Sequence, residues 1–90
     1  MSSIIQLKGD VGPSQALGLK AQLDQLNQLT RPSIKVDLTL VERLHLGAVN
    51  SLVHAASTTA RNAGQFQIVS PRSSELRSTL STAGLTSWMT

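Results

Sequence analysis

The chain has 90 residues, 40% of them hydrophobic, a net charge of +3 and no cysteine. That length fits one small domain, and the missing cysteine excludes disulfides and thiol catalysis. No apolar run reaches the length of a membrane span, and Met1 to Ile5 carries no basic segment leading into a long apolar one, so a cytoplasmic chain without a signal peptide is expected.

Ile4 to Lys8 alternates as a strand does, and the cluster Gly9-Asp10-Val11-Gly12 predicts a turn after it. Pro13 suits the first turn of a helix, where its missing N–H costs nothing. Ala16, Leu19, Leu23 and Leu26 then recur at helical spacing, with Leu29 near the same stripe. Thr30-Arg31-Pro32 is expected to close this helix, because the residue before a proline avoids the helical region. Ser33 to Leu38 is a β-type run with Ile34, Val36 and Leu38 on one side and Lys35 and Asp37 on the other.

A loop is expected from Thr39 to about Ala48, with a second helix starting near Leu46 or Gly47. Val49, Leu52, Val53, Ala56, Ala60 and Ala63 form its apolar stripe; Asn50, Ser51, His54, Ser57, Thr58 and Arg61 face the other way. Gly64 is expected to stop it in a left-handed conformation. Gln65 to Val69 predicts a short strand. Ser70 as N-cap and Pro71 at the first position open a third helix, with Glu75 placed to favour its dipole. Leu76, Leu80 and Ala83 are its buried stripe and Gly84 its stop. Leu85 to Thr90 is a tail expected to pack as a last short strand anchored by Trp88. Strands alternating with helices predict an α/β domain over residues 1–90, with a mixed sheet of about four strands and three main helices.

The eight basic residues are spread along the chain without aromatic residues between them, which argues against a nucleic-acid surface. His45 could be a metal ligand, a phosphoacceptor or a contact residue. A lone histidine makes no metal site, and His54, nine positions on, is not at i, i+4 spacing; no metal or cofactor is expected. Asp37 has only Glu42 as a nearby carboxylate, so an aspartate bonding local N–H groups is the expected role, with Thr39 bonding similarly. Gly9 to Gly12 lacks the third glycine of a dinucleotide fingerprint and the lysine of a P-loop. No serine–histidine–acid grouping is suggested, so no enzyme activity is expected. A modification of Ser51 or Thr58 competes with the commoner reading of exposed helical hydroxyls.

Several pieces in order resemble the STAS family of sulfate transporters and anti-sigma-factor antagonists. They are Leu7-Lys8-Gly9-Asp10; Val36-Asp37-Leu38-Thr39 with Val41 and Leu44; Ala60-Arg61-Asn62-Ala63-Gly64; Val69-Ser70-Pro71; and Leu80-Ser81-Thr82-Ala83-Gly84-Leu85. The resemblance covers almost the whole chain. Many members carry an extra N-terminal strand for which this chain has no room, so an exposed sheet edge is expected. In anti-sigma-factor antagonists the loop reads isoleucine–aspartate–serine–serine–glycine–leucine; the matching residues here are Leu44-His45-Leu46-Gly47-Ala48-Val49. The resemblance sets the phosphorylatable serine at Gly47, the alternative hydroxyl at Leu46 and the loop aspartate at His45. It implies a non-enzymatic protein-interaction module in bacterial signalling that lacks the usual acceptor. Its implied partner is an anti-sigma factor or serine kinase of the histidine-kinase-like ATPase type. Alternatives are a chemotaxis adaptor and a cytoplasmic accessory subunit of a lipid-transport ABC system. Some relatives hold nucleotides or lipids, but no residue here argues for a small ligand. Thr39, His45, Leu46, Gly47, Ala48, Asn50, Ser51 and His54 are the expected partner contacts.

Overall fold

The computed structural model describes residues 2–90. Strand β1 (Ser2–Val11), helix α1 (Pro13–Leu26), β2 (Ser33–Leu44), α2 (Leu46–Arg61), β3 (Gln65–Val69) and α3 (Ser74–Thr82) follow in order, with a 3-10 turn at Thr86–Trp88. The strands lie in the order β1-β2-β3, all parallel. The expected mixed sheet of about four strands is therefore corrected to three parallel strands. The tail coils through its 3-10 turn and makes one bridge, from Met89 to Ile68, rather than a fourth strand. Parallel neighbours joined by helices follow from the β–α–β connectivity.

One face of the sheet is apolar. Ile5, Ile34, Val36, Leu38 and Ile68 pack with Leu19 and Leu23 of α1, Leu52 and Ala56 of α2, and Leu80 of α3. The other face carries Ile4, Gln6, Lys8, Lys35, Asp37 and Gln67, which are exposed or half-buried. On its outer side β1 pairs with no other strand among the described residues, as expected for an open edge.

The largest departure from the sequence pattern lies in β2. It runs on to Leu44, so the expected loop from Thr39 shrinks to one residue, His45. Two register shifts explain why. Gln6 pairs with Asp37 and Lys8 with Leu40; Gly9 pairs with Val41 and Asp10 with Arg43. Each shift fits an extra residue into β2, and each extra residue turns the following side chains to the other face. Strict alternation would bury Leu40. Instead Leu40 is 45% exposed and Val41 only 4%. The same shifts keep Gly9, Asp10 and Val11 in β1, where a turn is expected, and Gly9 supplies the positive φ of 68°.

Helix ends also differ from expectation. Helix α1 stops at Leu26 with Asn27 as C-cap, so Leu29 lies past the helix and is exposed. A polar clasp fixes this end against α2: the Thr59 hydroxyl donates to Asn27 Oδ1 at 2.9 Å, and Asn62 Nδ2 donates to the Asn27 carbonyl at 3.1 Å. The buried residues of α2 are Ala48, Val49, Leu52, Ala55, Ala56 and Thr59; Val53 is half-buried, and Ala60 and Ala63 are exposed. Helix α3 starts with Ser73 as N-cap, its Oγ accepting from Leu76 N–H. Ser70 is not the cap; its hydroxyl donates to the Thr90 carbonyl.

At the end of α2 the left-handed residue is Ala63 (φ 56°), not Gly64. Gly64 N–H bonds Thr59 O and Ala63 N–H bonds Ala60 O, the paired closure of a helix that ends in a left-handed residue. The glycine stands one position later because a Cβ on residue 64 would lie 2.2 Å from the Pro32 carbonyl oxygen. Gly64→Ala is thus expected to destabilise by about 1–3 kcal/mol through overpacking. Ala63→Gly is expected to stabilise by about 1 kcal/mol by removing the left-handed penalty. Urea denaturation of both variants measures the pair; equal effects of one sign contradict this assignment.

Candidate functional site

The surface with most of the expected contact residues is built where β2 hands over to α2. His45 has extended backbone (φ −62°, ψ 145°) and is the N-cap of α2. Its N–H donates to the Val11 carbonyl at 2.8 Å, tying the turn to the end of β1. Its carbonyl accepts from Ala48 N–H at 2.9 Å and Val49 N–H at 3.2 Å. Its ring nitrogen Nδ1 accepts from Gly47 N–H at 3.0 Å. Histidine thus does the capping work usually left to Ser, Thr, Asp or Asn. A Cβ on residue 47 would stand 3.0 Å from that nitrogen, so the ring and the glycine fit as a pair.

Leu46, at the first turn, is 67% exposed. Asn50 and His54 follow on the exposed face, and Ser51, half-buried, donates its hydroxyl to the Gly47 carbonyl at 2.9 Å. Two shallow hollows flank this ridge. One, about 300 Å³, lies between α1 and α2 and is lined by Lys20, Leu23, Asp24, Gly47, Ser51 and His54. The other, about 380 Å³, lies between α2 and α3 and is lined by Leu46, Val49, Ser78, Thr79, Thr82 and Ala83. Asn50 borders both.

The structure thus gathers His45, Leu46, Gly47, Asn50, Ser51 and His54 on one surface. Ala48 does not belong to it: it is fully buried and supports the helix from beneath. Thr39 lies apart, in β2, beside a hollow it shares with Leu40, Val41, Glu42, Arg72 and Ser73. The hollows also draw in α3 and the Lys20–Asp24 ion pair (3.0 Å), which lie outside the expected contact residues. The pair's i, i+4 spacing was visible, but the neighbourhood of α3 was not. Among the described residues no group of three or more His, Cys, Asp or Glu gathers to hold a metal. No described helix is long and apolar enough to cross a membrane.

Asp37 does the local bonding its position suggests. Its Oδ1 accepts from Thr39 N–H at 2.9 Å and from the Thr39 hydroxyl at 2.7 Å, bracing the first bulge of β2. The Thr39 N–H, then its hydroxyl, and more weakly Lys35, hold the Asp37 carboxyl below its ordinary range against a small opposing effect of burial.

A family model described as "Mlab, STAS domain" matches residues 1–90. Among solved structures the chain is similar to the anti-sigma factor antagonist SpoIIAA in its unphosphorylated form. The TM-score is 0.81 at 19% identity, over 97% of this chain and 76% of that one. At that identity the likeness is one of fold. No curated protein sequence matches.

Because the folded-state pKa of Asp37 is depressed, its contribution to stability is present above about pH 4, the ordinary carboxylate value. It is lost as pH falls through the lower, folded value. Asp37→Asn is expected to remove that part of the acid limb. Stability followed by denaturant titration from about pH 5 to about pH 2 checks it; an unchanged limb in the variant counts against the Asp37–Thr39 brace.

Proposed function

The chain belongs to the STAS domain family, and we propose that it is a non-enzymatic docking module of bacterial signalling whose partner seats on the first half of α2. One observation carries this reading. A large apolar side chain, Leu46, stands exposed at a helix start beside the hollow between α2 and α3, and the polar residues His45, Asn50 and His54 are exposed on the same turn and helix. A buried apolar anchor with a polar rim is how interfaces concentrate binding energy.

The partner proposed is an anti-sigma factor or a serine kinase of the histidine-kinase-like ATPase type. The fold shared with an anti-sigma factor antagonist supports that class. The usual acceptor position is Gly47, which has no hydroxyl, so docking is not switched by phosphate there. Adding about two negative charges at a helix start is what such a switch needs, and Gly47 cannot carry them. Ser51 is one turn further on, but its hydroxyl is engaged with the Gly47 carbonyl. Cytoplasmic localisation is part of the same proposal.

Leu46→Asp is expected to weaken partner binding by at least ten-fold, roughly the 1.4 kcal/mol or more that burying an uncompensated charge costs. Because Leu46 is exposed, the fold should be unaffected. Calorimetric titration together with thermal unfolding checks both halves; unchanged affinity with an intact fold removes this surface from the docking face. Incubation with the cognate kinase and ATP is expected to leave the chain unmodified, and stoichiometric phosphate on Ser51 would sink the unswitched reading. Native pull-down separates the alternatives: an ABC ATPase or a chemoreceptor complex in place of a kinase-like ATPase redirects the partner assignment.

A further inference from the structure

His45 is the single residue between β2 and α2. Ala48 and Val49 N–H groups reach back to its carbonyl, while Gly47 N–H has the ring nitrogen Nδ1 at 3.0 Å. A ring nitrogen accepts only when it carries no proton, so this bond requires the tautomer with Nδ1 bare and the hydrogen on Nε2. Protonating Nδ1 sets a donor against a donor. It also adds positive charge at the positive end of a 16-residue helix.

The turn is shaped around the ring. A Cβ on residue 47 would lie 3.0 Å from Nδ1 and 3.4 Å from Cε1, and the Ala16 methyl stands 3.6 Å away. The His45 side chain is exposed, so protons reach it from solvent. The hollow on its other side is lined by Asp10 of β1 and Arg43 of β2, which are register partners, and by the uncharged Gln15 of α1. Across Gly47 stand the Lys20–Asp24 ion pair of α1 and His54 of α2 itself. Asp10 therefore offers a carboxylate toward which a cationic ring can turn. Arg43 opposes that turn, and Lys20 and Asp24 largely offset each other.

We propose that His45 is a proton-operated cap. Neutral, it orders the first turn of α2; protonated, it releases Gly47 N–H, and the turn that carries Leu46 loosens. The consequence for partner affinity rests on the docking face proposed above, whereas the capping chemistry is independent of it.

Nuclear magnetic resonance of the full isotope-labelled chain tests this between about pH 8 and about pH 5, where histidine side chains ordinarily change charge. Three results are expected. The neutral His45 ring has an unprotonated Nδ1. The Gly47 amide resonance moves along the His45 titration. Hydrogen exchange at Gly47, corrected for its intrinsic pH dependence, rises about five-fold as the ring charges, the worth of one helix cap. His54, exposed further along the same helix, is the internal control, and its titration leaves Gly47 unmoved. His45→Asn caps without titrating and is expected to keep Gly47 protected throughout. A Gly47 amide indifferent to the His45 titration, or a neutral ring with its proton on Nδ1, overturns the proposal. Should His45→Asn fold poorly, the contrast between His45 and His54 in the unaltered chain decides alone. An unaltered affinity of Leu46→Asp would remove the docking face and leave the cap measurement standing.

Discussion

The architecture turns on one residue. His45 alone joins a 12-residue strand to a 16-residue helix, and its N–H, its carbonyl and its ring Nδ1 each have a task in that turn. The N–H ties it to β1, the carbonyl takes two first-turn amides, and the ring takes a third. Helix starts leave several N–H groups without partners inside the helix. Satisfying two of them, at Gly47 and Ala48, from one residue, while Val49 makes the first regular helical bond to the same carbonyl, lets α2 begin with no loop in front of it. The direction of α2, and with it the exposure of Leu46, follows from that constraint.

The strand that delivers His45 needs its irregularities. Without extra residues, β2 would keep period-two alternation and offer Leu40 rather than Val41 to the core. The first bulge shifts the phase, so that Val41 is buried and Leu40 and Glu42 face solvent; the second, beyond Val41, shifts it back, so that Arg43 is exposed and Leu44 half-buried. The Asp37 carboxylate braces the first bulge through Thr39. Residues that look like candidate chemistry in the sequence thus serve geometry. Beneath the sheet the packing is ordinary: aliphatic side chains from three helices cover one apolar face. The same economy shows at the other end of α2, where Ala63 takes the left-handed turn because Pro32 leaves no space for a side chain on residue 64.

Much of the candidate site was legible before the fold. Leu46, Gly47, Asn50, Ser51 and His54 fall on one helix face by periodicity alone, and family spacing pointed to His45 and Gly47 as the altered positions. A loop would expose Ala48, whereas the second residue after a helix start at Leu46 turns inward and is fully buried. Thr39 would join the others only across one continuous loop; five strand residues, Leu40 to Leu44, separate it from His45. The hollow against α3 had no sequence signal, because it depends on how α3 lies beside α2.

The amino-acid order by itself determined the alternation of strands and helices, the three apolar helix stripes in outline and the absence of a hydroxyl at residue 47. These are local properties, set by side-chain period and by what glycine and proline permit. Only the tertiary structure decided that three parallel strands suffice, that β2 bulges twice and that the histidine ring caps the helix. Those outcomes depend on which strand lies beside which, on where the Pro32 carbonyl approaches residue 64, and on where a ring can reach a backbone N–H. None of these distances is encoded in spacing along the chain.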